Sequence, residues 1–208
     1  LSCFKRDELV TFINQCYAKK NKGILYGFSF DSVYRLKTKP EIIDYGRRAD
    51  VLVVDGRPFY WLVKRFGTPV IDNISIPKSV LLALDIANQN NKKVMLLGAT
   101  EEINKLAIEK VKLKYLNLSV SGFHGYFDFE NELDKVIEEI NKVKPDLLLI
   151  GISSPKKEII AVKYKNIIHA GLIIPCGGMI DVLAGVTKLT PNFIKKLGLA
   201  SIYRIIQE

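Results

Sequence analysis

Histidine and cysteine are scarce in this 208-residue chain, with only His124 and His169 of the first and Cys3, Cys16 and Cys176 of the second. The cysteines form no C-x-x-C pair. An odd number at wide spacing suits neither a disulfide framework nor a zinc site, and fits a reducing cytoplasm. Two histidines far apart in sequence leave little material for a metal cluster or a Ser-His-Asp triad. No apolar run approaches the roughly 20 residues that span a bilayer, and no charged-then-apolar signal segment opens the chain. Neither a G-x-G-x-x-G fingerprint nor a G-x-x-x-x-G-K-[ST] loop occurs, which argues against a standard dinucleotide enzyme or a nucleoside triphosphatase. Repeats, Gly/Ser linkers and low-complexity tracts are missing too, so residues 1–208 are read as a single domain.

What remains is the composition of a globular protein long enough for one substantial core. Lys and Arg outnumber Asp and Glu by 31 to 22, a net charge of +9 that favours phosphates, nucleic acids or acidic lipid headgroups. A merely solubilising positive surface accounts for the charge equally well, so position must decide.

Short apolar runs recur, each followed by a small or polar turn and an amphipathic stretch, which is the rhythm of a doubly wound, Rossmann-like α/β fold. A mostly parallel sheet with helices on both faces is expected. Strands are predicted at Ile24–Phe28, Val51–Val54, Lys93–Leu97, Leu118–Ser121, Asp146–Ile150 and Gly171–Ile174. Helices are predicted at Arg6–Lys20, Ser32–Lys37, Phe59–Phe66, Ser79–Asn88, Glu101–Lys114, Glu130–Val143, Pro155–Tyr164, Ile180–Ala184 and Asn192–Gln207. Thr100 stands where an N-cap is expected, with Glu101 and Glu102 in the first turn behind it. Thr38–Pro40 and Asn73–Pro77 read as loops.

In open parallel sheets ligands bind beyond the carboxyl ends of the strands, where helix N-termini favour phosphate oxygens. Four segments qualify: Asp55-Gly56-Arg57-Pro58, Gly98-Ala99-Thr100, Gly151 to Pro155, and Cys176-Gly177-Gly178. Each glycine taken alone serves a tight turn as readily as a ligand, and their joint placement is what points to a nucleotide or sugar phosphate. Asp55 follows Val51-Leu52-Val53-Val54, so a rigid strand carries a carboxylate into the expected cleft, where a general base is useful. A turn-forming Asp-Gly explains the same two residues.

Phe123-His124-Gly125-Tyr126-Phe127 offers stacking surfaces for a base or sugar face, or ordinary core aromatics. Asp128 and Glu130 form a D-x-E pair just before a predicted helix, where first-turn carboxylates need no metal, and no metal or cofactor is assigned. From Asn192 to Gln207 apolar Phe193, Ile194, Leu197, Leu199, Ile202, Ile205 and Ile206 are interleaved with Lys195, Lys196 and Arg204. Such a helix packs on its own domain or lies on an anionic membrane surface.

In order and wording these segments resemble the WecG/TagA/CpsF family of bacterial glycosyltransferases over nearly the whole chain. Gly151 through Pro155, Lys156, Lys157 and Glu158 is similar to the family's G-x-x-x-P-[KR]-Q-E segment. Gly177-Gly178 through Asp181 to Gly185 is similar to G-G-x-x-D-x-x-x-G, and Pro191 through Tyr203-Arg204 to Glu208 matches a further segment. Ala49-Asp50 through Asp55-Gly56 resembles A-D-x-x-x-x-D-G, whose second aspartate is the family's proposed base.

The resemblance implies metal-independent, inverting transfer of a sugar from a UDP-sugar donor to a lipid-linked sugar acceptor in polysaccharide or wall-polymer synthesis. It implies Asp55 as catalytic base, with substrate contacts at Gly27, Ser29, Gly56, Asn73, Gly98, His124, Tyr126, Gly151, Pro155, Lys156, Lys157, Glu158, Gly177, Gly178 and Asp181. Work on such an acceptor implies a cytoplasmic protein, peripheral at the inner face of the cell membrane. Anionic lipid is expected to be met through the C-terminal region, and a homo-oligomer is also consistent with the family. No nucleic-acid partner is expected, since no recognition motif for one occurs.

Members usually continue with a basic, membrane-associating tail, which is expected to be missing from these residues. Where the family has Thr and Asn after its first strand, this chain aligns Gly27 and Ser29. An Arg near the donor aligns with Asn73, the following G-x-D element becomes Ile76-Pro77-Lys78, and Lys157 replaces the usual Gln. These departures fall on the implied sugar and diphosphate contacts, so the alternative is a non-catalytic relative that binds a nucleotide sugar.

Overall fold

The computed structural model describes residues 5–18, 22–66, 74–191 and 194. Asn73 and, apart from Ile194, the predicted helix at Asn192–Gln207 lie outside the described residues.

All the predicted strands form, as β1 (Gly23–Phe28), β2 (Val51–Val54), β3 (Lys93–Gly98), β4 (Ser119–Phe123), β5 (Leu147–Gly151) and β6 (Leu172–Pro175). They make a six-stranded sheet in the order β2-β1-β6-β5-β3-β4, and every pairing in it is parallel. The chain steps from β1 outward to β2, jumps to β3, moves outward to β4, and returns through β5 to β6 beside β1. Every strand therefore ends at the same rim.

Burial on both faces explains why the strands read as continuous apolar runs. Leu25, Val53, Leu96, Leu149 and Ile174 point to one side, covered by α1 (Arg6–Tyr17), α5 (Ile76–Gln89), α6 (Glu101–Lys114) and α9 (Met179–Leu183). Their neighbours Ile24, Tyr26, Leu97, Ile150 and Ile173 point to the other, covered by α3 (Ile42–Arg48), α7 (Leu133–Val143) and α8 (Lys156–Lys163). Of the remaining described helices, α2 (Phe30–Arg35) adjoins β1, and α4 (Arg57–Phe66) packs Phe59 and Val63 on Val54 of β2. The doubly wound expectation holds.

Helix boundaries moved where side chains made bonds that periodicity does not show. Ser29 and Ser32 accept from each other's backbone N–H at 3.4 and 3.2 Å, a capping box that starts α2 two residues before the expected Ser32. α5 begins at Ile76 with Pro77 in its first turn, so Ile76 and Pro77 belong to a helix and not to a loop. Asp128 accepts from the N–H groups of Glu130 and Asn131 at 3.0 and 3.3 Å. That turn holds Glu130 ahead of the helix, so it is not the first-turn carboxylate expected. α3 was not predicted at all, because a β-branched Ile42-Ile43 pair and Gly46 disguise a helix whose Ile42 and Tyr45 are buried.

Candidate active site

The carboxyl rim gathers the predicted residues into two neighbouring groups. Around β2 and β1 stand Asp55, Gly56, Gly27 and Ser29. Asp55 N–H donates to Phe28 O at 2.8 Å, and Asp55 Oδ1 accepts from the N–H of Ile76, the first residue of α5, at 3.2 Å. This bond joins residues 21 apart in sequence and orients the carboxylate at a helix N-terminus. Gly27 makes the approach possible: a Cβ there would overlap the Ile76 side chain, and Asp55 Cβ would lie 3.5 Å away. The Ser29 hydroxyl is the α2 cap.

The second group lines a cleft of about 420 Å³ beyond β3, β4 and β5. Tyr126, Gly151, Lys156 and Asp181 are in its wall, together with Ala99 and Thr100. Tyr126 is exposed, and Lys156 Nζ sits 5.4 Å from the Phe129 ring centroid. Gly98 lies behind this wall in backbone-to-backbone contact with Gly151, where a Cβ would meet the Gly151 carbonyl, so the glycine pair draws the β3 and β5 ends together. His124 stacks on Phe123 with ring centroids 4.7 Å apart. β2 and β5 are three steps apart in the sheet, about 14 Å at the usual strand spacing.

Between the groups lies the β6 loop, with Gly178 capping α9. The N–H groups of Cys176 and Gly177 both turn back to Ile150 O, at 2.8 and 3.3 Å. Beside this loop Pro155 caps α8, and Glu158 in that helix is only 1% exposed. Glu158 Oε1 accepts from Lys157 Nζ at 2.6 Å, from the Ser154 hydroxyl at 3.2 Å and from the Tyr26 hydroxyl at 3.4 Å. Burial, reinforced by the Glu158 charge, pushes the Tyr26 phenol well above its ordinary value and keeps it a donor. Burial likewise pushes the Cys176 thiol up to about 12, against the opposing charge of Lys157. Lys157 is thus already paired, while Lys156 reaches the cleft.

Across residues 1–208 the chain matches the Glycosyl transferase WecG/TagA/CpsF family. It belongs to that family. Relatives include the N-acetylglucosaminyldiphosphoundecaprenol N-acetyl-beta-D-mannosaminyltransferases of Staphylococcus aureus. The protein of strain MRSA252 is 30% identical over 188 residues, covering 86% of this chain and 73% of the relative. That of strain MW2 is 30% identical over 190 residues, covering 86% and 74%.

Family membership makes the rim the place to look for transferase chemistry. Three rim features escaped the sequence reading. Tyr26 joins Glu158 across 132 residues, a separation no local pattern reports. Ala99 adopts a positive φ of 58° in the cleft wall, a conformation that costs energy for a residue with a Cβ. The buried Asn104 amide donates to Leu96 O, Gly98 O and Phe123 O at 3.0, 2.8 and 3.1 Å. An asparagine on the buried face of a helix was the only signal for that last one.

Proposed function

We propose that the protein is an inverting, metal-independent glycosyltransferase that moves a sugar from a UDP-sugar to a lipid-diphosphate-linked sugar acceptor. Family membership supports the reaction class, and the Staphylococcus aureus relatives, named for a diphosphoundecaprenol substrate, support the acceptor class. The observation that carries the mechanism is the position of Asp55. Its carboxylate projects from the end of β2 and is oriented by the first amide of α5, on the rim that also holds the Lys156 and Asp181 cleft.

In this reading Asp55 takes the proton of an acceptor hydroxyl as that oxygen bonds to the donor's anomeric carbon. The bond from that carbon to the diphosphate breaks on the opposite face, configuration inverts, and UDP leaves as an anion. Lys156 supplies positive charge to the leaving diphosphate with the N-terminus of α8, whose first residue it is. Tyr126 and His124 offer faces for the base or a sugar ring. The protein works at the inner face of the cell membrane, where such acceptors are anchored.

The departures at the site favour one rival, a nucleotide-sugar-binding relative without turnover, because the Ser29 hydroxyl and the Lys157 ammonium are both engaged in internal bonds. UDP release and product mass, measured over a panel of UDP-sugars with a short lipid-diphosphate-sugar acceptor, separate the two. Acceptor-dependent release from one donor supports the transferase, and donor binding without product supports the rival. Asp55→Asn keeps the fold and lowers turnover at least a hundredfold, the low end of general-base contributions; wild-type turnover in that variant would falsify the assignment.

A further inference from the structure

α4 carries two apolar faces where docking on its own domain needs one. The inner face is used: Phe59 and Val63 are buried against Val54. The outer face shows Trp61, Leu62 and Phe66 to solvent at 50, 42 and 76%. Lys64 and Arg65 stand among them, the Arg65 guanidinium lies 5.1 Å from the Phe66 ring centroid, and α4 contains no acidic residue. The patch continues onto α2, where exposed Phe30 meets Phe59 edge-on at 5.2 Å and Tyr34 is 74% exposed one turn further.

Tryptophan, tyrosine and phenylalanine rimmed by cations are what a bilayer interface accepts, since the rings sit at headgroup depth and the cations meet lipid phosphates. We infer that the outer face of α4, continued by α2, is the surface by which the protein lies on an anionic lipid bilayer. The choice of a bilayer as occupant rests on positive charge and on the transferase reading. α4 begins two residues after Asp55, so a membrane on this face lies beside the base that a lipid-anchored acceptor has to reach. In sequence, α2 and α4 at residues 30–66 are distinct from the Asn192–Gln207 segment.

Trp61 is the only tryptophan in the chain, so its fluorescence reports this face alone. The full chain is titrated with vesicles of equal parts phosphatidylglycerol and phosphatidylcholine, with pure phosphatidylcholine as the comparison. Anionic vesicles shift Trp61 emission to shorter wavelength, and lipids brominated in their acyl chains quench it. Lys64→Gln with Arg65→Gln weakens partitioning about thirtyfold at low salt, from the usual contribution of each cation near an anionic surface. Leu62→Asp with Phe66→Asp abolishes quenching with an unchanged circular dichroism spectrum, both side chains being exposed. Co-sedimentation without a change at Trp61, or no association with anionic vesicles, overturns the proposal. So does blue emission in lipid-free buffer that follows protein concentration, which assigns the face to a second copy. UDP release with a water-soluble acceptor reads the chemistry separately, so loss of the membrane surface and loss of the transferase reading are distinguishable.

Discussion

Lys157 and Glu158 form a salt bridge whose side chains are only 18 and 2% exposed. Taking two charges out of water is costly, and one without the other is costlier still. Lys157→Met therefore destabilises the fold by about 3–5 kcal/mol in urea unfolding. The double variant Lys157→Met, Glu158→Leu recovers most of that loss. Equal stability of the single variant and the wild type would show that the pair is not what holds α8 to Tyr26. The same pairing limits Lys157 as a substrate contact, whereas its neighbour Lys156 reaches the cleft. Adjacent lysines in a sequence cannot be sorted in this way, because the Glu158 that pairs with Lys157 is buried against another element, where the Tyr26 hydroxyl donates to it.

Among the elements, α6 is tied to the sheet by one buried side chain. Asn104 gathers carbonyls from the β3 and β4 ends, so Asn104→Ala leaves polar groups without that donor and costs about 2 kcal/mol, read as a lower urea midpoint. Cleft-wall residues Ala99 and Thr100 lose rigidity with it, so donor binding weakens alongside stability. Loss of stability with unchanged binding would confine Asn104 to the fold. α6 itself was legible to its terminal residues, because Thr100 accepts from Ile103 N–H at 3.3 Å as an N-cap does. α3 was not, since its helix depends on burying Ile42 and Tyr45, and tertiary burial overrides weak propensity.

For the whole molecule the buried thiols give a pH dependence. Burial pushes both Cys16 and Cys176 from the ordinary 9.0 up to about 12. The unfolded chain thus releases these protons at lower pH than the folded one. Their contribution is complete below pH 9 and is lost as pH rises toward 12. Stability measured by urea unfolding falls across that window. A thiol reagent at pH 8 leaves Cys16 and Cys176 unmodified in the native protein and modifies both once it is unfolded. Rapid native labelling of either would contradict their burial.

The strands, their parallel order of use and the rim loops were readable because a strand buried on both faces has to be apolar along its length. Turn glycines and Asp55 then mark where it ends. The sequence by itself also determined family membership, through motifs spread over the chain. Only the tertiary structure decided which residues meet: Ile76 with Asp55, Tyr26 with Glu158, Gly98 with Gly151. It also separated Lys156 from Lys157 and left the outer face of α4 in water. These are contacts between elements distant in the chain, set by strand order and side-chain packing, and local periodicity carries no record of either.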